Sequence, residues 1–375
     1  MPSPPPTLLG GVSAAAAAPA ARLRFDSDRR FQNRLQHHVD AYFSTRGRRP
    51  RDVPWMYAKT ALILAVFALS YGLLVFASPT WWQGLLLAVV LGIAIAQIGF
   101  NIQHDGGHQA YSRHRWINRA MAATLDLIGG SSYVWHWKHT VFHHTYANIA
   151  GHDSDIDLGI LARLAPAQRR RSFHRWQHIY LWALYGFTAL RWHFYGDFRD
   201  LITGRIGDRP FPRPRGADLA LLIGGKVAFV TLAFVLPLAF HPPGIVALTY
   251  LIAVAVTGLL LALVFQLAHL VEGAQFPVPP ADTQAMPVPW AVHQVGSTVD
   301  FARDNRLLTE LTGGLNFQVE HHLFARICHL HYPALAPLVE ETCREFGIRY
   351  RHHPTLRESV RSHFRWLRQM GRGPD

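Results

Sequence analysis

The sequence predicts an all-α integral membrane protein with four transmembrane helices arranged as two hairpins. No charged residue occurs from Ala61 to Gln103, and from Leu219 to Ala268 the only one is Lys226. Each stretch is long enough for two spans of about 20 residues. Each is broken near its middle, by Ser78-Pro79-Thr80-Trp81-Trp82 in the first and His241-Pro242-Pro243-Gly244 in the second. The third observation is where charge does occur in a chain of 375 residues with a formal net charge of +13. Of the 37 Lys and Arg residues, all but Lys59 and Lys226 fall before Lys59, between Gln103 and Gly216, or after His269. The positive-inside rule then places the N-terminus, the central segment and the C-terminal segment in the cytoplasm. The basic balance therefore reads as topology, and as a surface for anionic headgroups or an acidic partner, rather than as a nucleic-acid interface.

Taken in order, residues 1–21 are rich in Pro and Ala and lack a basic start, which predicts a disordered tail rather than a signal peptide. A cytosolic amphipathic segment follows over residues 22–58. Within it Phe31, Leu35, Val39 and Phe43 recur every four residues between Arg34, His37 and Asp40, the pattern of a helix lying on the membrane surface. Residues 59–375 form the membrane domain, with spans over residues 61–77, 83–103, 217–240 and 244–268 and a helical cytosolic cap from 104–216 and 269–375. Ile179–Leu190 is apolar but too short to cross, so it reads as interfacial or re-entrant. Arg205–Arg215 reads as a linker, and the chain from Tyr332 onward as an Arg-rich helical tail. Cys328 and Cys343 fall on the reducing side, where neither a disulfide nor a thiolate metal site is expected. No internal repeat signals a transporter of two related halves.

Histidine carries the chemistry. The second span delivers its end to His104-Asp-Gly-Gly-His108, and the fourth ends at His269. Between and after them stand His139-Thr-Val-Phe-His143-His144 and Gln318-Val-Glu-His321-His322. Spacing of four puts His104 with His108, and His139 with His143, on one helix face, with His144 turned away. Neighbours on a helix differ by about 100°, so His321 and His322 suit two ions better than one. A tetrahedral site takes four ligands and a catalytic one usually three, so eight imidazoles divide into two ions with open positions. Imidazole suits Fe, Zn, Cu or Ni. Asp153, Asp155 and Asp157 offer to orient ligating rings, or else to cap a helix or pair with arginines. Gln318 reads as a weak ligand or a water holder, and Glu272 and Glu320 as groups behind the ligands. His136, His152, His329 and His331 lie beside the motifs. Trp135, Trp137 and the Trp81-Trp82 pair read as interfacial anchors. A metal site at a membrane boundary suits a long-chain substrate with no polar handle at the reacting carbon, which calls for a strong oxidant such as oxygen activated on iron.

His104-Asp-Gly-Gly-His108, Lys138-His-Thr-Val-Phe-His-His144 and Gln318-Val-Glu-His-His322 resemble the three histidine boxes of the membrane fatty acid desaturases. Gln318 in place of a first histidine, Phe265-Gln-Leu-Ala-His-Leu-Val-Glu272 and Arg326-Ile-Cys-His-Leu-His-Tyr-Pro333 look like the front-end, linoleoyl-CoA-desaturase-like branch and its bacterial members. The resemblance covers Ile98–Val339. It implies a non-haem centre of two Fe ions that uses O2 and two electrons to remove two hydrogens from a long acyl chain, linked to CoA or to lipid. It also implies membrane lipids as surroundings and a bacterial inner membrane as location. Many eukaryotic relatives carry a fused cytochrome b5 domain with a His-Pro-Gly-Gly motif, absent here, so a separate ferredoxin or cytochrome b5 with its reductase is the expected donor. Ala325 stands where the family usually has Pro, a local loop change. The alternatives are a related di-iron hydroxylase or oxygenase, and, outside enzymes, a His-rich metal transporter or sensor. Against the last, the histidines sit at helix ends rather than at the bilayer midplane.

Overall fold

The computed structural model describes residues 23–77, 80–280, 282–283 and 285–373, so the tail predicted over residues 1–21 lies outside it. Among the described residues, four helices are long and apolar enough to cross a membrane: Pro54–Phe76, Trp81–Gly107, Gly216–Leu238 and Pro243–His269. The first begins seven residues earlier than the charge pattern suggests. Pro54 occupies the first helical position after an extended Val53, where its missing N–H leaves nothing unsatisfied. Lys59 therefore sits inside the helix, buried, with its ammonium 2.7 Å from Glu310. At the start of the second span the Gln83 side chain accepts the Thr80 backbone N–H at 3.0 Å. Pro243 starts the fourth span directly after the breaker.

The second and fourth spans lie against one another along their length. A Cβ on Gly92 would come within 2.5 Å of the Ala253 carbonyl, and Thr257 Oγ1 donates to the Gly92 carbonyl at 2.9 Å. This contact needs a residue without a side chain, and it brings the ends of both helices, His104 and His269, into one region. Gln177–Tyr185 and Thr188–Arg191 pack on the fourth span too, where a Cβ on Gly258 would lie 2.7 Å from the Gly186 carbonyl. Their other side leaves Ile179 and Phe187 exposed.

The cap corrects one expectation. The helix Arg30–Thr45 does form, but its apolar face does not lie on the membrane. Phe31, Leu35, Val39, Tyr42 and Phe43 are buried among Val295, Val319, Leu335, Val339 and Cys343. Periodicity identifies an apolar face without saying what covers it, and here other cap helices, Trp290–Ser297 and Tyr332–Glu345, do so. The last helix, Leu356–Arg372, buries Trp366, Leu367 and Met370 against Leu164, Leu181 and Tyr185. His363 Nδ1 on that helix donates to the Leu270 carbonyl at 2.7 Å, just past the end of the fourth span.

Three two-stranded pairings interrupt the helices. Arg24–Asp26 runs parallel to Ala285–Pro289, Arg205–Ile206 antiparallel to Arg209–Pro210, and Asp300–Phe301 parallel to His352–His353. They are too short to leave an alternating pattern in the sequence, and the second makes a hairpin of part of the predicted linker. Leu35→Ala tests the role of the first helix. The substitution is expected to lower unfolding stability by roughly 2–5 kcal/mol, against little change for exposed Gln36→Ala, measured by denaturation of the purified protein. Equal small effects would return the helix to the membrane surface.

Candidate metal centre

Two π-helical turns aim the first two histidine motifs. In the second span Ile98–Gln103 is π-helical, and the His104 N–H bonds to the Gly99 carbonyl. One α turn, His104–Gly107, follows, with the His108 N–H on the His104 carbonyl at 3.0 Å. Gly106 and Gly107 admit close neighbours. A Cβ on Gly107 would collide with the Trp135 ring, and one on Gly106 with Met121 and Ala122. Trp135 is therefore not an interfacial anchor: its ring lies 4.7 Å from that of His139 and 5.4 Å from that of His108.

The second π turn, His136–His143, closes with the His144 N–H on the His139 carbonyl. On an α-helix His144 would point about 140° away from His139. An i→i+5 turn instead brings the fifth residue back over the first, and the two ring centres lie 4.9 Å apart. The expectation that His144 turns away fails for this reason.

The eight histidines converge and are all buried. His104, His108, His139 and His321 form one group, and His143, His269 and His322 a second. His144 lies between, grouped with His321 and His322. Within each group the candidate ligand atoms are within 4.8 Å of one another. The adjacent pair on the short helix Gln318–Leu323 divides between the groups, its two rings 86° apart.

Among the described residues, Nε2 of His104, His108, His139, His143, His144, His321 and His322 has no hydrogen-bond partner, and neither has Nδ1 of His269. Several opposite ring atoms are held. His143 Nδ1 donates to Asp153 Oδ2 at 2.9 Å, and His322 Nδ1 to Gln294 Oε1 at 2.7 Å. His321 Nδ1 faces the Tyr332 hydroxyl at 3.4 Å, and His139 Nδ1 lies 3.6 Å from Asp155. A ring that gives its Nδ1 proton away presents the Nε2 lone pair inward. Burial, then the crowding of other imidazoles, pushes His108, His144, His321 and His322 well below the usual histidine range. Burial would do the same to His143, but the Asp153 carboxylate outweighs it and the net shift is upward. Neutral imidazole is the form that binds metal. Buried, partnerless nitrogens in groups of three and four fit metal ions and little else.

The surrounding carboxylates divide. Asp153 also accepts the Asn148 N–H at 2.9 Å, and the Asn148 amide donates to the His269 carbonyl at 3.1 Å and the Ser297 carbonyl at 2.9 Å. Asp155 pairs with Lys138 at 3.1 Å. Asp157 turns out of the site and accepts the Gly159 N–H of its own loop. Glu272 pairs with Arg365 at 2.8 Å on the surface, away from the cluster. Glu320 faces Tyr350, whose hydroxyl donates to it at 3.0 Å, and burial beside Asp300 pushes its carboxyl well up. Gln318 does face the centre, with its amide nitrogen 2.9 Å from His269 Nε2.

Other residues brace the site without facing it. Asp105 accepts from His329 Nδ1 at 2.9 Å, and His329 Nε2 lies 3.3 Å from Lys59, so both nitrogens of His329 are engaged. Asp300 accepts the Val319 N–H at 2.9 Å. Gln294 and Asp300 stand at no spacing that links them to the boxes, and Tyr332 lies within the Arg326–Pro333 segment. Asn148, close behind the second box, could have been found from proximity, as Asp153 was.

Asp153→Asn is expected to keep the helix content while weakening metal affinity by roughly 10–100-fold. Asp157→Asn should leave affinity unchanged. Metal titration of stripped protein checks both, and equal affinities would remove Asp153 from the site.

Comparison with known proteins points the same way. A family described as fatty acid desaturase matches residues 79–354. The sn-1 linoleoyl-lipid 6-desaturase of Arthrospira platensis is 38% identical over 356 residues, 95% of this chain and 96% of that protein. The enzyme of the same description from Synechocystis sp. is 38% identical over 94% of this chain and 99% of its own. The acyl-lipid (8-3)-desaturase of Physcomitrium patens is 37% identical over 90% of this chain and 71% of its own.

Proposed function

The chain belongs to the fatty acid desaturase family, and we propose that it introduces a C=C bond near the carboxyl end of a linoleoyl-type acyl lipid, using two Fe ions held by its eight histidines. The observation that carries this reading is the set of buried, partnerless imidazole nitrogens gathered in two groups at the ends of the second and fourth spans. His104, His108, His139 and His321 would hold one ion, and His143, His269 and His322 the other, with His144 between them. Bound iron would supply the oxidant from O2, which with two electrons from a donor, two protons from the medium and the two hydrogens of the acyl chain would leave as two waters.

The protein's own residues set the conditions for that chemistry. Asp153 and Gln294 fix ring tautomers, so that His143 and His322 present lone pairs. Asn148 ties the second box to the carbonyl ending the fourth span. Glu320, its carboxyl pushed up by burial beside Asp300, is turned to Tyr350 rather than to the centre. Burial keeps bulk water from the reacting carbon, and the apolar spans deliver a chain that water would not carry. The acyl-lipid relatives favour a lipid-linked substrate over a CoA ester.

Gas chromatography of fatty acids from cells fed linoleate tests the reaction. Expression of the wild type should yield a product with one more double bond toward the carboxyl end, and His322→Ala should yield none. A hydroxylated product would favour the related oxygenase, and an unchanged profile would sink the proposal.

The histidine centre is proposed to face the cytoplasm of a bacterial inner membrane and to be reduced by a separate acidic carrier, a ferredoxin or cytochrome b5, with its reductase. The distribution of Lys and Arg supports the sidedness. Packing supports the docking face: Arg163 Nη1 donates to the Met370 carbonyl at 3.1 Å and Arg170 Nη1 to the Arg372 carbonyl at 3.2 Å. Exposed Arg169, Arg170, Arg171 and Arg175 thus meet Arg368 and Arg372 on one surface. Added carrier and reductase should drive turnover in inside-out vesicles but not in right-side-out ones, and less well as salt rises. Turnover only from the outer face would reverse the topology, and indifference to salt would reject this dock.

A further inference from the structure

We propose that the space between the four spans, open on one side where Trp81 and Leu248 are exposed, is a binding site for one long alkyl chain, separate from the metal centre. The cavity measures about 480 Å³ and is lined from every span: Phe67 and Tyr71, then Leu91, then Leu232, then Ala253. It runs along the fourth span from Ile245 to Thr257, about 18 Å of helix rise. At one end Ile128 packs with Ile98, Ile102 and Trp135, and Trp135 in turn lies against His104 and His108.

The polar groups on its wall are already engaged with the protein. Tyr71 donates to the Leu232 carbonyl at 2.7 Å, Thr257 to the Gly92 carbonyl at 2.9 Å, and Thr249 to the Ile245 carbonyl at 2.8 Å. His241 Nε2 donates to the Val75 carbonyl at 2.8 Å, and His193 and Tyr250 bond each other at 2.9 Å. A buried water needs two to four polar partners, and with these groups turned to the protein the wall is mainly apolar. Apolar cavities of about 150 Å³ stay dry and take up benzene or xenon; this one is larger and elongated. An alkyl chain meets each condition: it is long, needs no polar partner, and is the main component of the surrounding bilayer. Its source is either a resident membrane lipid or the chain of the substrate. The site itself does not depend on the desaturase reading, and only the second source does.

The test uses full-length protein in detergent, exchanged to remove loosely held lipid and then extracted for mass spectrometry. The wild type should retain an alkyl-bearing molecule in stoichiometric amount. Leu91→Trp and Ala233→Phe, which fill the cavity, should retain at least fivefold less, while Leu69→Phe on the exposed outer face should match the wild type. An intact membrane lipid whose amount is unchanged by turnover identifies a resident lipid. Acyl substrate or product, with Ala233→Phe shifting the products toward shorter chains, identifies the substrate's own chain. Wild-type protein that emerges free of alkyl ligand overturns the proposal whether or not the variants fold. So do filled variants that melt like the wild type and keep its full complement.

Discussion

Eight buried imidazole nitrogens without hydrogen-bond partners are the constraint around which the cap is built. A buried polar atom left unsatisfied costs about 1–3 kcal/mol, and eight in one place would be intolerable unless something else completes them. Metal ions do so only if the rings are neutral and correctly turned. For the first condition, burial disfavours the imidazolium form at His108, His144, His321 and His322, whereas at His143 the Asp153 carboxylate outweighs it. The second comes from acceptors at the far side of the rings, of which Asp153 on His143 and Gln294 on His322 are the shortest contacts. The carboxylates that would upset the balance are kept away, Glu272 with Arg365 and Asp157 in its own loop.

Placement of the rings depends on helices whose main stability lies in the membrane. The second and fourth spans approach through Gly92, where a Cβ would strike the Ala253 backbone, and the fourth span receives Gln177–Tyr185 and Thr188–Arg191 through Gly258. The spans therefore deliver His104 and His269 from a rigid pair, and a centre spread over several segments inherits that rigidity. The π turns add the local correction. By carrying His144 back over His139, the second one lets three histidines of a single short segment serve both groups, which a regular α-helix would not allow.

The cap is closed by contacts between parts of the chain far apart in sequence. Arg30–Thr45 packs on helices near the C-terminus. Asp105, in the first box, holds His329 more than two hundred residues later, and His329 in turn meets Lys59 of the first span. These contacts tie the histidine segments to one another through groups that need not touch metal. They also explain why His329, though it sits beside a motif, offers no free nitrogen to an ion.

The sequence by itself determined the membrane class, the four spans and the identity of the clustered histidines. Each of these rests on short-range information: uncharged runs of span length, breakers between them, and rare residue types at fixed spacing. Only the tertiary structure decided which face of Arg30–Thr45 is covered by protein, which way His144 points, and which acidic residues serve the rings. Asp153, Asp157 and Glu272 are equally plausible on paper. What separates them is the path of the backbone between elements, and that path is set by packing across the whole chain. The cavity between the spans belongs to the same category, because an apolar residue facing a void and one facing lipid or a neighbouring helix look alike in sequence.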